Sequence, residues 1–252
     1  MRILFVSPHP DDIEFSMGST EAALCEKGHE VYLLCITGGE YGIEIDEFKG
    51  ERLSKIRRRE LRRASKIMGV KQVDFFGLID GYVKLGRKYI NKLREYIEKI
   101  KPDIVFCADP VFTVDPHNDH LKSGLMTYQA VKEMKKRPLL IHFYTYSPNY
   151  YQPCTHLKTT YEAFIKYESQ GFTSKLFIFF NKFFKFLSGL MMKRVGLVDA
   201  FRIIDFKKEK IELTFRQRIM SRIFFNLGGS SLPSGEQYLP RPEDLGLKEF
   251  RF

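Results

Sequence analysis

Short apolar runs alternate along the first half of this chain with longer stretches whose apolar residues recur every three or four positions. The runs at 2–7, 31–37, 73–76, 103–107 and 139–144 have the length of strands. Between them, 17–28, 51–68, 87–101 and 119–136 have helical spacing. In the third of these Ile90, Leu93, Ile97 and Ile100 share one face. Gly28, Gly69 and Pro102 stand where three of the helices must stop. Alternating strands and helices predict a parallel sheet, and unbroken apolar runs fit strands buried on both faces. The fold expected is α/β and Rossmann-like, a mostly parallel sheet with helices on both faces and right-handed crossovers. In such sheets ligands bind beyond the carboxyl ends of the strands.

After Tyr144 the pattern loosens. Residues 147–153 read as a loop, 161–169 as a helix and 203–206 as a strand. Residues 209–225 fit neither type, and 228–252 read as loop. The expectation is one domain over 1–252, with an α/β core at 1–145. Residues 146–252 supply substrate-side segments and an irregular C-terminal extension.

Composition narrows the class. With 44% hydrophobic and 29% charged residues, the chain can bury a core. Its +10 charge permits attraction to phosphates, anionic lipid or nucleic acid. No nucleic-acid motif accompanies that charge, so no nucleic-acid partner is expected. Four scattered cysteines form no C-x-x-C pair; Cys35 and Cys107 fall in strands and should be buried. A reducing, cytoplasmic setting is expected. The N-terminus lacks a signal-peptide core, and no apolar run reaches the ~18 residues of a membrane span. Residues 172–196 are rich in Phe and Lys and contain no acid. Leu176, Phe180, Phe183, Leu187 and Leu190 follow helical spacing there. That helix either covers the sheet or lies peripherally on anionic lipid at the inner membrane face.

The chemistry concentrates in two places. His9-Pro10-Asp11-Asp12 follows the first strand. Adjacent carboxylates repel when desolvated, a divalent cation neutralises them, and histidine with carboxylate suits zinc. A polar turn with an aspartate cap is the plainer alternative. His117-Asn118-Asp119-His120 then opens the helix after the fourth strand. Two such clusters at strand ends of one sheet favour a metal site over two ordinary turns.

Further motifs follow in order: Gly18 in a helix start, Thr37-Gly38-Gly39-Glu40, Arg57-x-x-Glu60 in a helix ending at Gly69, and Asp80-Gly81. With the two clusters, this series resembles the zinc-dependent de-N-acetylases of the LmbE-like, or PIG-L, family. The resemblance covers residues 1–125 and weakens beyond, although 158–170 and Ala200-Phe201-Arg202 look like later family segments. It implies that His9, Asp12 and His120 bind Zn2+ (or another divalent ion), leaving Glu14 outside the ligand set. It implies that Asp11 is the general base. It makes His117 the group that holds the oxyanion or protonates the leaving amine, with Asp119 orienting that imidazole. It also places Arg57 and Asp80 on the sugar or its aglycone. For these two the residues themselves leave alternatives: Arg57 lies in a basic run that reads as a solvated face, and Asp80 could be a turn residue. Glu40 reads at least as well as a loop cap. The implied reaction removes an N-acetyl group from an N-acetylglucosamine-type sugar or conjugate, giving acetate and an amino sugar. The implied partner is that small amino-sugar substrate, and some relatives form homo-oligomers. Two rivals are a glycosyltransferase, suggested by 2–6, Gly18 and 27–31, and a basic nucleic-acid-binding module. The first would need a second nucleotide-binding domain and leaves both histidine clusters without a purpose.

Overall fold

Alternate side chains of each central strand point into two separate apolar layers, which is why the strand runs are apolar throughout. The computed structural model describes residues 1–43, 46–115, 117–193 and 196–207. The readings made for 209–225 and 228–252 lie outside the described residues. The strands are β1 (Arg2–Ser7), β2 (Glu30–Thr37), β3 (Gln72–Leu78), β4 (Ile104–Ala108), β5 (Leu139–Phe143), β6 (Tyr150–Pro153) and β7 (Val198–Ile203). They form one sheet in the order β3-β2-β1-β4-β5-β7-β6. The first five are parallel; β7 runs antiparallel to both β5 and β6. The helices are α1 (Asp12–Glu26), α2 (Glu51–Met68), α3 (Arg87–Ile100), α4 (Asn118–Lys132), α5 (Leu157–Phe164) and α6 (Gly171–Met191).

Ile3 and Phe5 of β1 join Leu33 of β2 and Phe106 of β4 beneath α1, α2 and α5. Leu4 and Val6 join Leu34 and Val105 beneath α3 and α4. Register locks the centre: Ile3, Leu4 and Phe5 lie opposite Ile104, Val105 and Phe106, and the Phe5 and Phe106 rings stack at 4.7 Å. Cys35 and Cys107 are fully buried.

Several elements differ from the sequence expectation; α5 spans Leu157–Phe164 where 161–169 was expected, and α4 ends at Lys132 where 136 was expected. Helix α1 begins at Asp12, not 17, because Met17 has non-helical angles (φ −148°, ψ 22°) that divide it in two. Only its second part carried a visible period. Residues 150–153, read as loop, form β6; Pro153 is tolerated because β6 is the sheet's edge. The strand read at 203–206 lies instead at 198–203, with Val198 and Phe201 buried.

The chain runs outward from β1 to β2 and β3, then returns to place β4 on the other side of β1. That reversal opens a crevice at the carboxyl ends of β1 and β4. The two histidine-containing clusters follow these two strands. Asp109, just after β4, fastens the second approach. Arg202 of β7 donates to both of its oxygens at 2.7 Å, and the Val111 and Phe112 N–H groups donate to its Oδ1. Burial works against its charge, but Arg202 and His142 hold the carboxyl well below its ordinary value.

Helix α4 is seated by Gly124. A Cβ there would lie 2.3 Å from the Ala108 carbonyl oxygen. Gly124→Ala must therefore push α4 off β4 and should cost about 1–3 kcal/mol of stability in urea unfolding. Unchanged stability would contradict this close approach.

Candidate active site

At the end of β1 the chain turns sharply. Asp11 precedes α1 in the left-handed region (φ 97°, ψ −21°), a conformation costing a non-glycine residue about 1–2 kcal/mol. Arg57 holds it there. Its Nη2 donates to the Pro10 carbonyl at 2.7 Å and to Asp11 Oδ2 at 2.9 Å. Arg57 is buried, so it is neither on a solvated face nor reaching outward, although it lines the cleft. Glu60, one turn further along α2, accepts the N–H and hydroxyl of Ser169 at 2.7 and 2.6 Å. The Arg57-x-x-Glu60 pair thus ties α2 to the β1 turn and to the segment before α6.

Three donor atoms converge beyond this turn. His9 Nδ1 lies 3.1 Å from His120 Nε2, and Asp12 Oδ2 lies 3.3 and 3.2 Å from those two nitrogens. Ligands of a tetrahedral zinc with ~2.0–2.2 Å bonds stand about 3.3–3.6 Å apart. The observed triangle is close to one face of that tetrahedron. Only one proton fits between the facing nitrogens, so at least one lone pair points at the other ring. One shared proton makes that contact an ordinary hydrogen bond, and two imidazoles with a carboxylate are also a donor set that fits zinc.

The remaining atoms of these residues fix them in place. His9 Nε2 is 3.1 Å from Asp80 Oδ1 and 3.3 Å from Asp119 Oδ2. Donating its proton there leaves the Nδ1 lone pair directed at the triangle. Both carboxylates are themselves held by backbone: Tyr41 N–H on Asp80, and Gly81 and Val83 N–H on Asp119. Asp12 accepts the His9 N–H on Oδ2 and the Tyr144 hydroxyl on Oδ1. The Tyr144 ring stacks on His120, with centroids 5.3 Å apart. Asp115 Oδ2 is 3.3 Å from His120 Nδ1, at ion-pair distance without hydrogen-bond alignment.

The charges explain why this place attracts cations. Burial disfavours charge on His9, yet Asp80, Asp119 and Asp12 hold its pKa well above the ordinary value. Burial also opposes charge on His120, which Asp12 and Asp115 nonetheless raise. Asp12 is kept well below the usual carboxylate range by the two imidazoles despite its burial. Asp11 behaves oppositely: burial and neighbouring Asp12 push it up to about 6, against the pull of Arg57. His117 is driven down to about 4 by burial and by the adjacent His9 and His120. It is therefore neutral near pH 7. Its Nδ1 accepts the Asp119 N–H at 3.2 Å, so its proton sits on Nε2.

All eight residues singled out from the sequence meet within this one neighbourhood. His9, Asp11, Asp12, Arg57, Asp80, His117 and His120 line a cleft of about 240 Å3, with Phe15, Gly42, Asp115, Tyr144, Phe164 and Gln170. Asp119 lies buried behind His9. Two expectations change. Asp119 was expected to orient His117, but its carboxylate is on His9; it reaches His117 through its backbone N–H and its charge. Asp80 was expected on the sugar, but both its oxygens are engaged by His9 and Tyr41. Glu40 is a loop cap, accepting from Gly38 N–H, Ser54 hydroxyl and Asp80 N–H. Glu14 is buried beside Tyr167 and absent from the cleft lining. His117 also brings a nitrogen within 4.8 Å of those of His9 and His120. A three-histidine ligand set is less consistent, because Asp12 stands nearer both rings and His117 caps α4. Tyr144 was not foreseen; its place at the end of the parallel strand β5 was the available signal.

Residues 4–134, a little over half of the chain, match the family model described as PIG-L: GlcNAc-PI de-N-acetylase. The chain belongs to the PIG-L family. Diacetylchitobiose deacetylase of Thermococcus kodakarensis is 28% identical over 166 residues, covering 60% of this chain and 62% of that protein. The chain thus spans less than two thirds of that relative's length. The structure of N,N'-diacetylchitobiose deacetylase from Pyrococcus horikoshii matches with a TM-score of 0.78 and 25% identity, over 85% of this chain and 88% of that one. GalB, the 4-carboxy-2-hydroxymuconate hydratase of Pseudomonas putida, shares the fold at a TM-score of 0.68 and 18% identity, covering 85% of this chain and 99% of its own. A shared fold therefore does not choose the reaction; the site must.

If His9 is oriented as described, Asp80→Asn should weaken metal binding about 10–100-fold while the protein stays folded. Competition against a chelator measures this. Affinity equal to the unaltered protein would remove Asp80 from the role of orienting His9.

Proposed function

We propose that this PIG-L family protein is a metal-dependent hydrolase that removes the N-acetyl group from an N-acetylglucosamine-type sugar or conjugate. The observation that carries the reading is the convergence of His9 Nδ1, Asp12 Oδ2 and His120 Nε2 beside a strained Asp11 held by Arg57. A divalent cation held by these three atoms, with zinc best suited to them, would supply Lewis acidity to the acyl oxygen and to the attacking water. The names of the relatives support the acetylated amino sugar as the substrate class. The cleft, at about 240 Å3, is smaller than the ~300–1,000 Å3 of drug-sized sites and suits a compact polar group.

The chain's own residues then have distinct tasks. Asp11 takes a proton from the attacking water. Its pKa near 6 leaves it mostly ionised at neutral pH yet basic enough to accept that proton. Arg57 aligns the accepting oxygen without leaving the interior. Water oxygen adds to the acetyl carbon, and the carbonyl electron pair moves onto oxygen. Neutral His117 donates its Nε2 proton as a hydrogen bond to that oxyanion. As the C–N bond breaks, the proton held by Asp11 passes to the amine nitrogen. The acid so released still carries the second water proton, which passes to the amine or to solvent, leaving acetate and the amino sugar. Asp80 holds His9, and Asp119 holds His9 through its carboxylate while its N–H fixes the His117 tautomer.

This division of labour predicts separate phenotypes. Asn accepts left-handed backbone angles, so Asp11→Asn should fold and bind metal normally. It should lower kcat by about 100-fold or more in release of amine from N-acetylglucosamine derivatives, with KM little changed. A kcat equal to that of the unaltered enzyme would remove Asp11 as the base.

A further inference from the structure

Over residues 181–190, helix α6 is amphipathic the wrong way round for a helix that covers a sheet. Its inward face carries polar groups. Asn181 is buried and donates to the Phe15 carbonyl; Lys185 is buried on Asp199 of β7 and on the Ser16 carbonyl. Asp199 in turn accepts the N–H and hydroxyl of Thr20, so the inward face is pinned to α1 through a satisfied ionic network. The outward face carries the hydrocarbon. Phe183, Phe186, Leu187 and Leu190 are 52%, 41%, 37% and 49% exposed, and recur at three- and four-residue spacing opposite Asn181 and Lys185. Phe184, 51% exposed, widens the stripe. Of the periodic residues noted in the sequence, Phe183, Leu187 and Leu190 lie on the exposed side.

The charges beside the stripe indicate its partner. Residues 171–196 include Lys175, Lys182, Lys185, Lys193 and Arg194, and no Asp or Glu. Lys185 is consumed internally; Lys182 and Lys193 are exposed. An apolar aromatic stripe on a helix that carries exposed cations and no acid matches the boundary of an anionic bilayer, where rings enter the acyl region and ammonium groups meet phosphates. A second copy of the same face would set these cations against each other. No helix among the described residues is long and apolar enough to cross a membrane, so the contact would be parallel to the surface.

We propose that the outward face of α6 docks this protein on an anionic lipid surface. Gln170, the residue immediately before α6, lines the catalytic cleft. Docking therefore sets the cleft beside the lipid headgroups. The docking surface is separate from the reacting groups, so its failure would leave the deacetylase reading intact.

Flotation of the full chain tests it, with vesicles of phosphatidylcholine and phosphatidylglycerol at about three to one, and of phosphatidylcholine alone. The protein should float with the anionic vesicles and largely not with the neutral ones. Phe183→Ser, Leu187→Ser and Leu190→Ser combined should reduce flotation at least about tenfold, with activity on a water-soluble substrate unchanged. Lys182→Glu should weaken binding at low salt and have less effect at ~0.5 M salt. No flotation of the unaltered chain, or equal flotation of the triple variant, overturns the proposal. Concentration-dependent dimers that the triple variant dissolves, without flotation, assign the face to a second copy and also overturn it.

Discussion

His9 cannot rotate. Its Nε2 proton lies between two carboxylates, Asp80 and Asp119, and each carboxylate is itself held by backbone N–H groups from the loop after β2 or β3. Everything else in the cleft depends on that constraint. With Nε2 committed, Nδ1 faces His120 and Asp12, and three potential ligand atoms meet at the crevice between β1 and β4. The loops after β1, β2, β3 and β4 all contribute, so the site exists only when the central sheet is in register. Fold and chemistry are coupled through one imidazole.

The adjacent aspartates illustrate how environment separates identical side chains. Asp12 is surrounded by both imidazoles and stays ionised far below the usual range, as a metal ligand must. Asp11 is desolvated beside that negative charge, and Arg57, with smaller contributions from His9 and His120, limits the rise. Covalent adjacency places the second carboxylate within reach of whatever the first one binds. The left-handed backbone at Asp11 is the conformational cost of turning the two side chains in different directions.

Much of this arrangement was legible in the residues. The 51–68 helix was read with its observed ends, and the central strands to within one or two residues, because period and glycine stops agreed. The family resemblance implied His9, Asp12 and His120 as metal ligands, and the fold brings one donor atom from each together. Arg57 was harder, since its local sequence, Lys55-Ile56-Arg57-Arg58-Arg59, reads as a charge run. Helical phase held the answer: Leu53, Arg57, Leu61, Ala64 and Met68 share a buried face. What could not be read was which carboxylate holds which imidazole. Asp80, in the loop after β3, and Asp119, in the first turn of α4, reach the same nitrogen from distant parts of the chain, and local spacing carries no trace of that. Helix α6 shows the converse limit, because a helical period fixes a face but not which side of it meets the protein.

The central claim is that His9, Asp12 and His120 together hold one divalent metal ion. X-ray absorption at the metal edge, on protein purified with its metal, tests it most directly. The account predicts one ion per chain with two imidazole shells at ~2.0–2.1 Å and a carboxylate oxygen, and loss of one imidazole in His120→Ala. A metal-free active protein, a thiolate ligand, or an unchanged spectrum in that variant would contradict it.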